Sequence, residues 1–405
     1  IHKLLDRGKE SCYLMKGKKL FDISDYSNKK KFTHKEAMAM GKIVNEYMFN
    51  SPFALSTSDE KAVINDEFKY GYCILGPIIL EYFKWLIKSL DTKKQEVLLF
   101  SAREGYYLQK IYKHLMQKVN KPEIENYYFY VSRRAVSVAT LKEEKDLYEL
   151  LEKQFIGTAR DLLYNRFGID DVSLGKAKIN IYGQQKRTRE IVALHKDKIL
   201  ENSKKERENY LKYIQKTIKD LDNKNLNFLD LGYAGTAQYY LSKLLGKKID
   251  GKYFAVYKSE KPLTIGCNVD ACYNDDIKDD DTNIDNPLFK YSILLEAFLT
   301  APQGQLLCFD NDGNPKFNED DNKEKWDCFE KIYDAIIKYI DDTYEIFKED
   351  ILNFEFDKSI CVNLYKGYVY ESGKLDEHMK KFFDIDDYYC SNKVINGVES
   401  CQNRL

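Results

Sequence analysis

The residues best suited to chemistry begin directly after an apolar run. The segment "VLLFSAREG" (97–105) passes from four apolar residues to Ser101, Arg103, Glu104 and Gly105. Arginine binds phosphate through two parallel N–H groups, and backbone N–H groups at a helix start attract an anion. Arg103 and Gly105 are therefore candidates for holding a diphosphate. The alternative is that Arg103 and Glu104 only pair with each other, which contributes at most about 1 kcal/mol at a surface.

A second candidate is the segment "FLDLGYAGTAQ", in which an acid at a strand end is followed by glycines and a helix. Asp230 suits sugar hydroxyls or a magnesium ion, and the hydroxyl of Thr236 can donate to a phosphate oxygen. The glycines allow a ligand to approach the backbone closely. The candidate substrate-binding residues of this turn are Gly232, Tyr233, Gly235, Thr236 and Gln238.

Several classes of ligand use a turn of this kind. A dinucleotide site has the pattern GxGxxG, which is absent here. An S-adenosylmethionine site usually has a further acid at the end of the next strand, and only Glu260 follows, several residues late. A phosphoribosyl site combines the acid and the Gly/Thr turn with a second strand-end loop for pyrophosphate, which "SAREG" can supply. A nucleotide-diphosphate sugar fits the same two loops, so this alternative stays open.

Other charged groups follow further along the chain. In "VSRRA", Ser132 is a candidate for substrate binding, and Arg133 or Arg134 is a candidate phosphate ligand while the other has a structural role. Arg187 is a further candidate for substrate binding, although its basic cluster is more typical of a solvated helix face. Glu296, on the apolar segment "LLEAFLTAPQG", is either a surface residue or a buried general base. The general base is therefore one of three carboxylates, those of Glu104, Asp230 and Glu296.

The elements that position these residues follow an α/β pattern. "EVLLF", a helix and "YYFYV" form a strand–helix–strand unit, which predicts a parallel pair with a right-handed crossover. "NLNFLDL" and "GKYFAVY" predict further strands. Residues 141–220 show helical periodicity almost throughout and no strand pattern, which indicates a helical insertion over the sheet. A hairpin is predicted at 305–317, and a long helix carries apolar residues from Phe329 to Ile351.

The composition excludes some classes of protein. The 405 residues carry a formal net charge of -1, so no overall field favours nucleic acid or an acidic membrane. The 32 tyrosines favour a core role over a sugar-stacking surface, and the nine cysteines lack paired CxxC units, which indicates free thiols. No signal peptide or apolar run of membrane-spanning length is present. We expect a soluble, cytoplasmic protein.

Taken together, six segments resemble a family found in bacterial polysaccharide gene clusters. They are "FNSPFAL", "GPIILEYFKWL", "FSAREGYYLQKIY", "YVSRRA", "FLDLGYAGTAQ" and "LLEAFLTAPQG". Members are usually fused to haloacid-dehalogenase-type hydrolases, and the family is similar to glycan phosphoribosyltransferases. The resemblance implies a phosphoribosyltransferase-type Rossmann-like sheet in a catalytic domain over 48–317. Residues 1–47 resemble the end of a hydrolase domain, and 318–405 form a helical C-terminal region.

The resemblance also implies an activity: transfer of ribose 5-phosphate from phosphoribosyl pyrophosphate to a glycan hydroxyl in capsule or O-antigen biosynthesis. It implies Mg²⁺ at Asp230, a partner phosphatase, and an acceptor that can be lipid-linked at the inner face of the membrane. The chain departs from the pattern at Leu231, where soluble phosphoribosyltransferases have a second acid, and at Glu104, where family members often have Asp. These departures and the tyrosines leave a non-catalytic glycan-binding module as a further alternative.

Overall fold

The computed structural model describes most of the chain from residue 66 onwards. The described residues are 35, 39, 66–91, 94–174, 178–257, 260–274, 288, 292–318, 322–354, 356–362, 365, 382, 384–386, 389–390 and 394–396. The predicted N-terminal segment, 1–47, lies outside them except for Lys35 and Ala39. Ala39 is buried in the main core, and the Lys35 ammonium lies 3.1 Å from the carboxylate of Asp350.

A five-stranded, all-parallel sheet forms the centre of the molecule, in the order β2-β1-β5-β6-β7. Six short strands pair antiparallel outside it, as β3 with β4, β8 with β9, and β10 with β11. The strands are β1 (Glu96–Ser101), β2 (Glu125–Phe129), β3 (Ile156–Thr158), β4 (Lys178–Asn180), β5 (Asn225–Tyr233), β6 (Asp250–Val256), β7 (Val269–Ala271), β8 (Leu306–Phe309), β9 (Pro315–Phe317), β10 (Asp384–Asp386) and β11 (Val394–Asn396). The predicted α/β Rossmann-like fold is confirmed.

Helices cover both faces of this sheet. They are α1 (Gly76–Ser89), α2 (Gly105–Lys118), α3 (Arg133–Thr140), α4 (Glu144–Glu149), α5 (Ala159–Phe167), α6 (Gln185–Leu194), α7 (Lys196–Thr217), α8 (Thr236–Leu245), α9 (Glu260–Thr264), α10 (Ser292–Leu299) and α11 (Lys323–Phe347). A short helix, Glu67–Lys69, and a π-helical segment, Tyr70–Leu75, lead directly into α1.

Strand periodicity divides the core into two halves. Successive side chains of a strand point to opposite faces, so Leu98 and Phe100 of β1 pack with α1, α2, α10 and α11. Val97 and Leu99 pack on the other face, with α3, α5, α7 and α8. Tyrosines fill much of both halves of the core. Tyr82, Tyr112 and Tyr210, for example, are at most 1% exposed, which agrees with the core role expected from the composition.

The helical insertion predicted at 141–220 is present on the second face, as α4 to α7. The prediction that it contains no strand is wrong. Ile156 pairs with Asn180 across β3 and β4, which are three residues long each. Segments this short carry too few residues for an alternating pattern to stand out from the helical periodicity around them.

Helix α11 of the C-terminal region shares the core of the central sheet. Helix α11 packs Phe329, Ile336 and Ile340 into the same cluster as Leu98 of the central sheet. The predicted long helix is confirmed but ends at Phe347, and Ile351 lies in a short 3₁₀ segment beyond it. The region is also not purely helical, because β10 and β11 form a small sheet.

Two expectations from the composition can be compared with the described residues. Six described cysteines are free thiols, namely Cys73, Cys267, Cys272, Cys308, Cys328 and Cys361. Across the described ranges, no helix combines the length and the apolar character that a membrane span requires.

Candidate active site at the carboxyl edge of the sheet

The strand order creates a switch point between β1 and β5. From β1 the chain passes through α2 to β2 on one side, and from β5 it passes through α8 to β6 on the other. Helices α2 and α8 also pack on opposite faces of the sheet. A crevice at the carboxyl ends of the strands is where ligands bind in such sheets. Ser101 ends β1 and Asp230 lies near the end of β5, so both predicted segments flank this crevice.

The loop after β1 contains polar groups without protein partners. The hydroxyl of Ser101, a residue only 2% exposed, has no hydrogen-bond partner in the described part of the chain. Arg103 is half-buried, and its guanidinium forms no hydrogen bond or ion pair with any described residue. Glu104 accepts a hydrogen bond from the backbone N–H of Arg103 at 3.0 Å, but the two side chains are not ion-paired. The alternative in which these two charges neutralise each other therefore does not describe this loop.

Gly105 begins α2 under a steric constraint. A Cβ atom at this position would lie 2.5 Å from the carbonyl carbon of Phe100 and 2.7 Å from its oxygen. Only glycine therefore lets the helix start this close to the end of β1. This packing brings the N-terminus of α2, with its partial positive charge, to the crevice.

Asp230 is the centre of a cluster of charges. Its Oδ1 accepts a hydrogen bond from the N–H of Leu231 at 2.8 Å. Burial, followed by the charges of Glu104 and Glu296, raises the pKa of Asp230 to about 8, while Arg133 opposes the shift. The structure thus brings three predicted carboxyl groups and one predicted arginine into electrostatic contact. Glu296 is half-buried on α10. It is therefore neither the fully exposed surface residue nor the fully buried base that the sequence allows.

The turn between β5 and α8 has two glycines that no other residue could replace without strain. Gly232 has φ of 150°, and a Cβ there would lie 1.9 Å from the carbonyl oxygen of Ala255 on β6. Gly235 caps α8 with φ of 63°, and a Cβ there would lie 2.7 Å from Pro262. No side chain caps the helix that begins at Thr236. Its first N–H groups are therefore available to an anion.

Tyr233 and Arg187 belong to the predicted substrate-binding set but lie outside this cluster as described. The backbone of Tyr233 pairs with Val256 in the sheet, and its side chain is not among those described. Arg187 is exposed on α6, and no hydrogen bond or ion pair within the described ranges connects it with the strand-end loops.

Three other predicted ligands are engaged by the protein itself. Gln238 donates to the carbonyls of Ile249 and Asn268 at 2.7 and 2.8 Å and accepts from Tyr253. Because every polar atom of this buried side chain has a partner, Gln238 has a structural role.

The same holds for the start of α3. Arg134 forms a two-pronged ion pair with Glu206, with N–O distances of 2.6 and 2.9 Å. Ser132 accepts from the N–H of Ala135 and donates to the carbonyl of Leu306 at 2.8 Å. Arg134 and Ser132 therefore fix α3, and Arg133, which is exposed beside the charged cluster, is the arginine of this pair that faces the crevice.

No family model and no curated protein matches this chain. The resemblance to glycan phosphoribosyltransferases therefore rests on the six segments themselves. Three of them supply Glu104, Asp230 and Glu296, which are distant in sequence and lie together in the structure.

Sequence reasoning missed Tyr128 and Gln303. The hydroxyl of Tyr128 accepts a hydrogen bond from Gln303 at 3.0 Å. Burial and the nearby charge of Glu104 raise its pKa, and Arg103 opposes the shift. Tyr128 thus lines the same crevice from the end of β2. The signal was the alternation of "YYFYV", which directs Tyr128 and Tyr130 to one face, but tyrosine is too common in this chain to single it out.

Proposed function

We propose that the chain transfers ribose 5-phosphate from phosphoribosyl pyrophosphate to a hydroxyl group of a glycan. The observation that carries the proposal is the pair of anion-binding features on either side of one switch point. On one side lie the guanidinium of Arg103 and the hydroxyl of Ser101, neither of which has a partner among the described residues. On the other lies the uncapped helix start at Thr236. The donor has an anionic group at each end of a sugar, which matches this arrangement.

Each end of the donor then has its own ligands. Arg103 and the N-terminus of α2 hold the diphosphate, because a guanidinium and a helix start both favour clustered negative charge. The turn from Gly232 to Thr236 holds the 5-phosphate, and Arg133 contributes a further positive charge. Asp230 lies between the two and faces the ribose.

The reaction forms one bond and breaks one. The acceptor oxygen attacks the anomeric carbon of ribose, and the bond from that carbon to the diphosphate breaks, so the diphosphate leaves with the bonding electron pair. Positive charge develops on the ribose ring, and carboxylates beside it stabilise that charge. The acceptor proton passes to a carboxylate, for which Asp230, Glu104 and Glu296 are the candidates. The pKa of about 8 supports Asp230, since a base is most effective when its pKa lies near the working pH.

The donor set of the site is compatible with Mg²⁺. Carboxylate oxygens are the ligands that Mg²⁺ prefers, commonly one or two together with substrate phosphates. Within the described residues, no group of three or more His, Cys, Asp and Glu side chains is arranged to hold a metal. However, a bound cation would offset the negative charges of Glu104 and Glu296, which add to burial in raising the pKa of Asp230. With a cation on Asp230, its pKa would fall and the acceptor proton would pass to Glu104 or Glu296 instead. When bound, Mg²⁺ supplies charge neutralisation to the diphosphate, with Asp230 as its protein ligand.

The test is titration calorimetry with phosphoribosyl pyrophosphate and Mg²⁺, followed by a turnover assay that detects released pyrophosphate. We expect binding by the native chain, and turnover that is lost in Asp230→Asn. The matched control is Asp222→Asn, an exposed aspartate just before β5, which should bind and react normally.

Failure to bind the donor at millimolar concentration would overturn the proposal. A rise in melting temperature with a nucleotide-diphosphate sugar, and none with phosphoribosyl pyrophosphate, would assign the same crevice to another sugar donor. Glycan binding by a chain that neither binds the donor nor turns it over would instead favour a non-catalytic module.

A further inference from the structure

A second cavity lies beside the crevice and is separate from it. Its volume is about 370 Å³, within the range of small-molecule sites. It is enclosed by α5, α7 and the β8–β9 hairpin, and neither Arg103 nor Asp230 contributes to it. The hairpin is fixed to the start of α3, because Ser132 donates to the carbonyl of Leu306 and Arg134 to that of Leu307. The cavity and the crevice therefore share the N-terminus of one helix.

The walls of this cavity are rich in carboxamide side chains. They are contributed by Asn165, Asn202, Asn209, Gln305, Asn311 and Asn318. A carboxamide both donates and accepts hydrogen bonds and carries no charge. A set of them suits a ligand that presents many hydroxyl groups.

Most of these carboxamides have unused hydrogen-bonding capacity. Asn209 is only 5% exposed and donates to the carbonyl of Phe309 at 3.0 Å, but its Oδ1 has no partner among the described residues. Asn165, Gln305 and Asn318 are half-buried, and their side chains form no hydrogen bond within the described part of the chain. These groups are accessible from outside, so they are free to form hydrogen bonds with a polar ligand in the cavity.

The rim adds an aromatic face and positive charge. Tyr164 is 44% exposed, and its ring packs against no other described aromatic ring. An amphipathic ring of this kind can cover the apolar face of a sugar. Lys205 and Lys316 are exposed at the rim and form no ion pair with a described residue. The carboxylate of Asp310 also lines the cavity and lies near Lys316, and the charges of Arg134 and Glu206 cancel each other, so the lining carries a net charge of +1.

We propose that this cavity binds a saccharide. Resting on the function proposed above, the saccharide is the acceptor glycan, held beside the crevice where its hydroxyl reacts. The net positive charge of the lining favours a glycan with an acidic substituent over a neutral one.

The experiment measures direct saccharide binding without any donor present. The probes are tetragalacturonate and maltotetraose, added at millimolar concentration and followed by saturation-transfer NMR and calorimetry. Asn165→Ala and Gln305→Ala remove wall carboxamides that the fold does not use, so both variants should fold normally. Asn353→Ala removes an exposed carboxamide outside the cavity and is the control.

We expect the native chain to bind tetragalacturonate more tightly than maltotetraose. Each cavity variant should weaken binding about tenfold, the loss expected from about 1.4 kcal/mol of hydrogen bonding, while the control binds normally. Absence of binding by the native chain, or equal binding by the cavity variants, would overturn the inference. Calorimetry with phosphoribosyl pyrophosphate on the same samples separates the two proposals. Donor binding without saccharide binding refutes only the cavity, and the reverse result refutes only the transferase.

Discussion

Arginine is placed in opposite ways in the helical insertion and at the edge of the sheet. Arg166 on α5 is completely buried and donates to four backbone carbonyls, those of Leu150, Lys153, Gln154 and Tyr389, at 2.6 to 3.0 Å. Arg103 is half-buried, and its guanidinium donates to no described group. Since a buried polar group without a partner costs stability, the four hydrogen bonds of Arg166 stabilise the folded insertion. A guanidinium without a described partner, such as that of Arg103, is expected where a ligand supplies the hydrogen-bond acceptors.

The largest effect that tests this comparison is on catalysis at Arg103. If Arg103 binds the leaving diphosphate, Arg103→Ala should lower turnover by about two to three orders of magnitude, because negative charge builds on that group as the bond breaks. Donor binding should weaken by less, since other phosphate ligands remain. Arg103→Lys should recover only part of the rate, because a single ammonium does not reproduce the guanidinium fork. Steady-state kinetics with folding checked by circular dichroism measures both; a normal rate in Arg103→Ala would place the active site elsewhere.

The second effect is on stability at Arg166. Arg166→Met leaves four carbonyls without donors, and at about 1 kcal/mol or more for each we expect a loss of about 4 kcal/mol in the free energy of unfolding. Urea unfolding measures this loss.

The matched control for Arg166 is on the same helix. Arg160 forms an exposed ion pair with Asp170, and Arg160→Met should leave the unfolding midpoint unchanged. Equal effects in the two variants would mean that the carbonyl contacts of Arg166 do not stabilise the insertion.

The third test compares neighbours in the sequence. Arg134→Ala leaves Glu206 unpaired and largely buried, which should cost about 3 kcal/mol of stability. Arg133→Ala should raise the KM for the donor about tenfold and cost less stability than Arg134→Ala. Unfolding curves and donor titrations on both variants check this, and a donor effect confined to Arg134→Ala would reverse the two assignments.

The smallest effect is the pH dependence of stability at Asp230. The pKa of an aspartate is near 4 in the unfolded chain and about 8 for Asp230 in the folded chain. Between these values the folded state holds the extra proton, so the contribution of Asp230 to stability falls as the pH rises. Asp230→Asn should therefore be more stable than the native chain at pH 9, by about 1 kcal/mol or more, and equally stable at pH 4. Urea unfolding at pH 4 and pH 9 measures the difference in stability between Asp230→Asn and the native chain. The same difference at both pH values would refute the prediction.

Much of the fold was predictable because its signals are local. The buried strands β1 and β5, the helix α1 and the hairpin β8–β9 each carry their own periodicity or turn residues. The strand ends were also visible, since Arg103 and Asp230 interrupt apolar runs.

The rest depends on contacts between distant segments. No local pattern distinguishes Arg133 from Arg134; the distinction comes from Glu206, which lies 72 residues further along the chain. Gln238 belongs to a segment that resembles a ligand-binding motif, but its side chain is fully hydrogen-bonded to Tyr253 and two backbone carbonyls. The shared core of α11 and the central sheet likewise follows from packing that no segment reveals alone.

The carbonyl of Tyr389 has a consequence for how the chain is made. It is 223 residues from Arg166, whereas the other three acceptors lie within 16 residues of it. At about 5–20 residues per second, a ribosome needs roughly 10 to 45 seconds to travel that distance. For all of that time the guanidinium of Arg166 lacks its last acceptor. The insertion is therefore synthesised early, but the hydrogen bonds of Arg166 within it are complete only after Tyr389 has been added near the end of the chain.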